Sequence, residues 1–296
     1  MTRLFVDWSC THTHAATAGG AYSVDDWRCY VWAWLAVNTR CIHLGQDIGS
    51  RDTIALAPFL DLLNHGKEAK VTTYFDLISR QFVIKTLTPY KRGREVFISY
   101  GPHDNSFMLA EYGFVIAENP FQTLELDHQV YAWIAAVKSR LRPATPGKPA
   151  TVQPSDIDEM IRTLKRHGLW GDFALSPEDR DIPYRLQAAL RLLISHAAVH
   201  QQGIYSKGAI VRWERWRRGE PDYSNNDPDN NDCAIRNWVK ITCQTIADTS
   251  AKMISNIDAY RCAQDMKQCY NVAFPAQCLC TIWKEIDVIA RSFTEI

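Results

Sequence analysis

The spacing of apolar and polar positions changes along the chain, and the change falls near residue 120. Before it the runs are short and alternate. Val71, Thr73 and Phe75 are followed by Phe82, Ile84 and Thr86. A period of two marks a half-buried strand, so residues 71–86 predict a hairpin that turns at Asp76–Arg80. That turn lacks Asn-Gly or Asp-Gly, which leaves its register open. Val96–Tyr100 is mostly apolar and predicts a buried strand. Beyond residue 120 the period lengthens. Leu186, Leu190, Leu193, Ile194 and Ala197 recur at helical spacing. Ile235, Val239, Ile246, Met253 and Ile257 predict the inward face of a long helix that starts at Cys233 with Asp232 as N-cap. Pro275 separates it from a last helix with Ile282, Ile286, Val288 and Ile289.

Shorter elements lie between these. Ser23 as N-cap, with Asp26 at the third helical position, predicts a helix that ends near Asn38–Arg40. Its stripe of Trp27, Tyr30, Val31 and Trp34 is expected to face the core. Arg40, at the helix end after an apolar run, is placed to reach back to a carboxylate. Gly45–Thr53 reads as a polar loop, and Leu60–Gly66 as a short helical or turn segment. Asp104 or Asn105 caps a short helix through Glu111, with Gly113 suited to its left-handed end. Pro143–Pro154 and Glu220–Asp232 read as loops. Strands before residue 120 and long helices after it predict an α+β protein of two domains, 1–120 and 121–296.

Charge and composition narrow the function classes. Lys plus Arg balance Asp plus Glu at 33 each, so global electrostatics give no reason to expect nucleic acid or an acidic membrane surface as partner. No apolar run is long enough to span a bilayer, and Met1–Phe5 does not open a secretory signal. The nine cysteines form no C-x-x-C pair, so the expectation is reduced thiols packed in helices, a cytoplasmic or nuclear setting, and no metal centre. His12 and His14, two residues apart, point to opposite sides of a strand and give no chelate. The basic run Arg212–Arg218 reads either as a peptide- or nucleic-acid-binding face or as a half-solvated helix that packs through Trp213 and Trp216.

The chemistry concentrates in residues 57–120. Asp61, Asn64 and His65 read either as a polar helix end or as ligand contacts, and Tyr100 as a strand-end aromatic or a site residue. A buried Asn or Tyr needs hydrogen-bond partners, which a ligand can supply. The segments Asp61–His65, E-V-F-I-S-Y-G at 95–101, G-P-H-D-N at 101–105 and Y-G-F at 112–114 resemble the SET-domain methyltransferases of the Rubisco large-subunit methyltransferase class. Val37–Arg40 and the helical C-terminal half also fit that class.

The resemblance implies a partial SET β-fold followed by an all-helical substrate-binding domain. It also implies a protein-lysine N-methyltransferase that uses S-adenosylmethionine on a protein substrate, histone or non-histone. Arg40 and Asp61 would then line the methionine end of the cofactor, Asn64 would bond its polar end, and His65 would meet the adenine. Phe114 would pack on the adenine, and Tyr100 would stand at the channel that joins cofactor and lysine. SET domains carry an N-terminal G-x-G element, and none occurs in these 296 residues; the expectation is that the match begins mid-domain, near residue 23. Two other readings are a protein-interaction module and a histidine-directed methyltransferase of the same class.

Overall fold

A computed structural model describes residues 24–43, 54–141, 154–179, 181–198, 206–220, 228–263 and 270–295. The chain divides into two compact units, 1–98 and 99–296. Several sequence expectations lie outside the described residues: the Ser23 cap, His12 and His14, the Gly45–Thr53 loop and most of the Pro143–Pro154 loop.

The first unit opens with helix α1 (Val24–Arg40). Strands β1 (Cys41–His43) and β2 (Ile54–Leu56) pair antiparallel. A 3-10 turn at Leu60–Leu62 leads into β3 (Asn64–His65). The expected hairpin forms as β4 (Val71–Asp76) and β5 (Gln81–Thr86), in register from Val71 opposite Thr86 to Asp76 opposite Gln81. Asp76 compensates for the missing Asn-Gly chemistry. Its carboxylate accepts from the Ile78 N–H at 2.9 Å and the Ser79 hydroxyl at 2.7 Å, and Arg80 takes the positive φ of 54°. Strand β6 (Phe97–Ile98) pairs parallel with β3, an arrangement that the intervening hairpin makes possible.

Two expectations fail in this unit. The predicted buried strand at 96–100 shrinks to the two half-buried residues of β6, with Val96 exposed. The aromatic stripe of α1 does not face a core: Trp27 is 62% and Trp34 58% exposed, and each stacks on Tyr30. Among the described residues of the first unit none is buried. Periodicity detects an apolar face, but whether a partner covers it depends on the other elements.

The second unit holds the hydrophobic core. Its helices are α2 (Asn105–Tyr112), α3 (Asp127–Arg140), α4 (Pro154–Arg166), α5 (Tyr184–Ala198), α6 (Ser206–Arg217), α7 (Pro228–Ala263) and α8 (Tyr270–Ser292). It is not all-helical: β7 (Leu124–Glu125) pairs antiparallel with β8 (Ala174–Leu175). Helix α5 is central, with Leu186, Ala188, Ala189, Leu190 and Leu192 all inaccessible, so it is enclosed rather than amphipathic. Helix α4 instead presents one buried stripe, Ile157, Met160 and Leu164. Ile235 and Val239 of α7 join the same cluster, as does Trp213 of α6.

Helix α6 settles the reading of the basic run. The indole N–H of Trp213 donates to the Ala188 carbonyl at 2.8 Å, Trp216 stacks on Tyr184, and the Arg191 guanidinium lies 4.5 Å over the Trp216 ring. Both tryptophans are packing residues.

Helix boundaries depart from expectation in places. α7 begins at Pro228, ahead of the expected cap, so Asp232 lies inside the helix, where its carboxylate pairs with Arg191. Pro is well tolerated in a first turn, which needs no backbone donor there. α8 runs through Pro275 in its second turn. Met253, expected inward, is exposed, whereas Ile246 is buried; on α8 Ile289 is buried and Val288 exposed. The cysteines are mixed: Cys243, Cys278 and Cys280 are buried as expected, but Cys233 and Cys262 are exposed. Among the described residues no helix is long and apolar enough to cross a membrane.

Candidate functional site

The sequence-predicted site residues fall in both units. Arg40, Asp61, Asn64 and His65 lie in the first; Tyr100 and Phe114 lie in the second.

In the first unit Arg40 is the last residue of α1, and its guanidinium donates to the Asp61 carboxylate at 2.5 Å. This is the back-reaching Arg that the sequence predicted. The Arg40 side chain is half in solvent, so the pair is worth at most about 1 kcal/mol to stability. Its value is positional: it ties the end of α1 to the 3-10 turn that precedes β3. Asn64 and His65 form β3 and are half-buried. The Asn64 amide donates to the Glu95 carboxylate, a partner that sequence reasoning missed although Glu95 opens the E-V-F-I-S-Y-G segment.

Parallel pairing continues past β3. The Gly66 N–H donates to the Ile98 carbonyl at 2.9 Å, and a side chain at Gly66 would meet the Phe97 Cβ at 2.8 Å. Backbones approach here more closely than any side chain allows. Beside them an apolar groove of about 480 Å³ is lined by Phe59, Leu60, Leu63, Phe82, Ile84 and Phe97, among others.

In the second unit Tyr100 stands in an aromatic cluster. Its ring lies 4.8 Å from Tyr112 and 6.3 Å from Phe114, the latter edge-on. Tyr112 is 6.3 Å from both Phe114 and Phe107, and Phe107 stacks on His103 at 4.0 Å. Centroid separations of this order are those of favourable aromatic pairs. Burial pushes the Tyr112 phenol up, and the Glu111 charge adds to the rise. Tyr112 thus remains protonated and can only donate or accept as a neutral hydroxyl. Tyr112 is not among the sequence-predicted site residues, although it belongs to the same Y-G-F triplet as Phe114.

The backbone supports this cluster. Asp104 caps α2 by accepting from the Phe107 N–H at 2.7 Å, and Gly113 ends it in the left-handed conformation at φ 76°. Gly101, the residue after Tyr100, has φ 121°, and a Cβ there would fall 2.6 Å from His103 Nε2. The Tyr-Gly step is therefore required by geometry.

Comparison with known proteins bears on these segments. No protein-family model matches the chain. SET domain-containing protein 4 of Mus musculus is 37% identical over 180 residues, which is 59% of this chain and 37% of the relative. A ribosomal lysine N-methyltransferase of Schizosaccharomyces pombe is 36% identical over 153 residues, 50% of this chain and 32% of the relative. The chain is a homologue of SET-domain proteins. It spans little more than a third of the length of the curated relatives it matches. A solved structure of Rubisco LSMT bound to sinefungin and monomethyllysine aligns with a TM-score of 0.46 at 15% identity, over 92% of this chain and 55% of that one. These similarities assign no role to individual residues.

Proposed function

We propose that this chain carries the site of an S-adenosylmethionine-dependent protein-lysine N-methyltransferase. The observation that supports this most is the sequence identity to SET domain-containing protein 4 and to a ribosomal lysine N-methyltransferase. The donor set of the first unit fits the cofactor. An amino-acid end needs a cation for its carboxylate and an acceptor for its ammonium. Arg40 with Asp61, and Asn64 with Glu95, are of those types. In this reading His65 of the first unit borders the adenine, and Tyr100 of the second is the catalytic residue beside the acceptor nitrogen.

The bound cofactor supplies a methyl group on a positively charged sulfur. The protein's task is alignment and desolvation, and no nucleophilic side chain or metal is called for. In-line alignment alone supplies a large share of such a barrier reduction. The acceptor lysine must also lose its proton. Holding it neutral at pH 7 costs roughly 4–5 kcal/mol from an ordinary value near 10.4. An apolar, aromatic surrounding of the Tyr100 type lowers that cost by penalising the ammonium. A neutral phenol can then hold the amine without charging it.

The test is calorimetric titration of the chain with S-adenosylhomocysteine, followed by methyl-transfer assays on ribosomal proteins and histone tails with mass-spectrometric assignment of the modified residue. Binding and a methylated lysine are the expected result, with turnover sharply lower in Tyr100→Phe. A methylated histidine in place of lysine would redirect the acceptor assignment, and near-normal turnover of Tyr100→Phe would remove Tyr100 from the chemistry. A second reading, a protein-interaction module, is favoured by the exposed aromatic face of α1. Absence of cofactor binding together with retained folding would select it.

A further inference from the structure

A polar network outside the predicted site, with Asn105, Asn119 and Gln122 buried and Glu285 half-buried, joins α8 to the segments that carry the aromatic cluster. Asn105, the first residue of α2, is inaccessible. Its side chain grips the backbone of Ile116 from both sides: Oδ1 accepts from the Ile116 N–H and Nδ2 donates to the Ile116 carbonyl, each at 2.8 Å. The second Nδ2 hydrogen goes to Glu285 Oε2 at 2.7 Å. The other Glu285 oxygen accepts from the Asn119 N–H at 3.2 Å. Asn119, also buried, donates from Nδ2 to the His103 carbonyl at 2.9 Å and accepts from the Phe121 N–H at 3.1 Å. Gln122 completes the ring by accepting from the Asn105 N–H at 3.0 Å.

The two clamped backbone points flank the cluster. Ile116 is two residues beyond Phe114, and His103 is three beyond Tyr100. Glu285 reaches them from 180 and 166 positions away in sequence. A carboxylate is the group that this geometry asks for, because both oxygens face donors. Burial pushes the Glu285 carboxyl up, and the Asn119 backbone and Asn105 amide act against it. Among buried groups of this kind, removal of one partner costs more than the bond itself contributed.

We propose that Glu285 is a positioning residue for the Tyr100–Tyr112–Phe114 cluster, acting through Asn105 and Asn119, so that the C-terminal helix sets the geometry of the candidate reaction centre. This rests on the proposed methyltransferase reading for its catalytic consequence, but not for its structural one. Glu285→Gln keeps shape and places an amide donor against one of two donors, so one contact reverses to repulsion. Glu285→Asp keeps the charge and shortens the reach.

The experiment uses the full chain with 3-fluorotyrosine incorporated, the Tyr100 and Tyr112 resonances being assigned through Tyr100→Phe and Tyr112→Phe. Val288→Ala, an exposed change on the same helix, is the control. The expected result is displaced Tyr100 and Tyr112 fluorine resonances in Glu285→Gln and Glu285→Asp, and none in the control, with helical circular dichroism retained. Turnover should fall about ten- to a hundred-fold in kcat with little change in KM, as misalignment predicts. Unmoved resonances in a folded Glu285 variant overturn the proposal, and so does a KM-only effect. If Glu285→Gln does not fold, Glu285→Asp decides by the same criteria. If the wild-type chain transfers no methyl group, the proposed function fails while the resonances still decide the positioning role.

Discussion

Gly101→Ala tests how tightly the Tyr100 segment is constrained. Two costs are separable. The first is conformational: φ of 121° is a region that L-residues rarely adopt, and holding an alanine there costs about 1–3 kcal/mol. The second is steric: the new Cβ would fall 2.6 Å from His103 Nε2 and 3.0 Å from its Cδ2, so the ring must move. That ring is stacked at 4.0 Å on Phe107, and a lost aromatic pair costs about 0.5–1.5 kcal/mol. The sum is about 1.5–4.5 kcal/mol. Gly113 provides the comparison, because its φ of 76° is also positive but an added Cβ meets nothing within 4 Å. Gly113→Ala should therefore show the backbone cost alone, about 1 kcal/mol.

The assay is urea unfolding followed by circular dichroism, with midpoints compared at equal slope. His103→Ala closes a double-mutant cycle: with the ring gone, Gly101→Ala should cost about 1 kcal/mol less than in the wild-type background. The reasoning is refuted if Gly101→Ala is no more costly than Gly113→Ala, or if removal of the His103 ring leaves its cost unchanged.

Two further outcomes follow from burial. Leu190→Ala on α5, where the side chain is inaccessible, should cost about 2–5 kcal/mol in urea unfolding, whereas Val288→Ala on α8, 65% exposed, should stay within about 0.5 kcal/mol. Burial also pushes the Cys243 thiol up to about 12 from an ordinary 9.0. At pH 8.5 only roughly one Cys243 in three thousand is then thiolate, so iodoacetamide should label the exposed Cys233 and Cys262 ahead of Cys243, read by peptide mass spectrometry. The sign follows from the raised value: the stabilisation tied to the neutral thiol is complete below pH 9 and declines as pH climbs toward 12.

Local features of this chain were legible in its sequence because they depend on near neighbours. The hairpin at 71–86 follows from strict alternation and the Asp104–Gly113 helix from its caps. Leu186, Leu190, Leu193 and Ile194 of α5 recur at helical spacing and are buried, and Arg40 at a helix end found its carboxylate in Asp61. The motif segments at 61–65, 95–105 and 112–114 likewise carry their resemblance to SET-domain proteins in local sequence alone.

What depended on distant residues was not legible. The α1 stripe has core periodicity yet is exposed, because no pattern within seventeen residues states what lies opposite. Met253 fell on the wrong side for a related reason: small errors in helix phase accumulate along long helices. Asp232 was expected as a cap, but the helix starts earlier and Arg191 takes its carboxylate. Glu95 beside Asn64, and Glu285 beside Asn105 and Asn119, are contacts between residues 31 to 180 positions apart. Periodicity and capping act over a few residues, whereas a buried amide or carboxylate finds its partner only once the chain has brought distant segments together, and that step belongs to the tertiary structure.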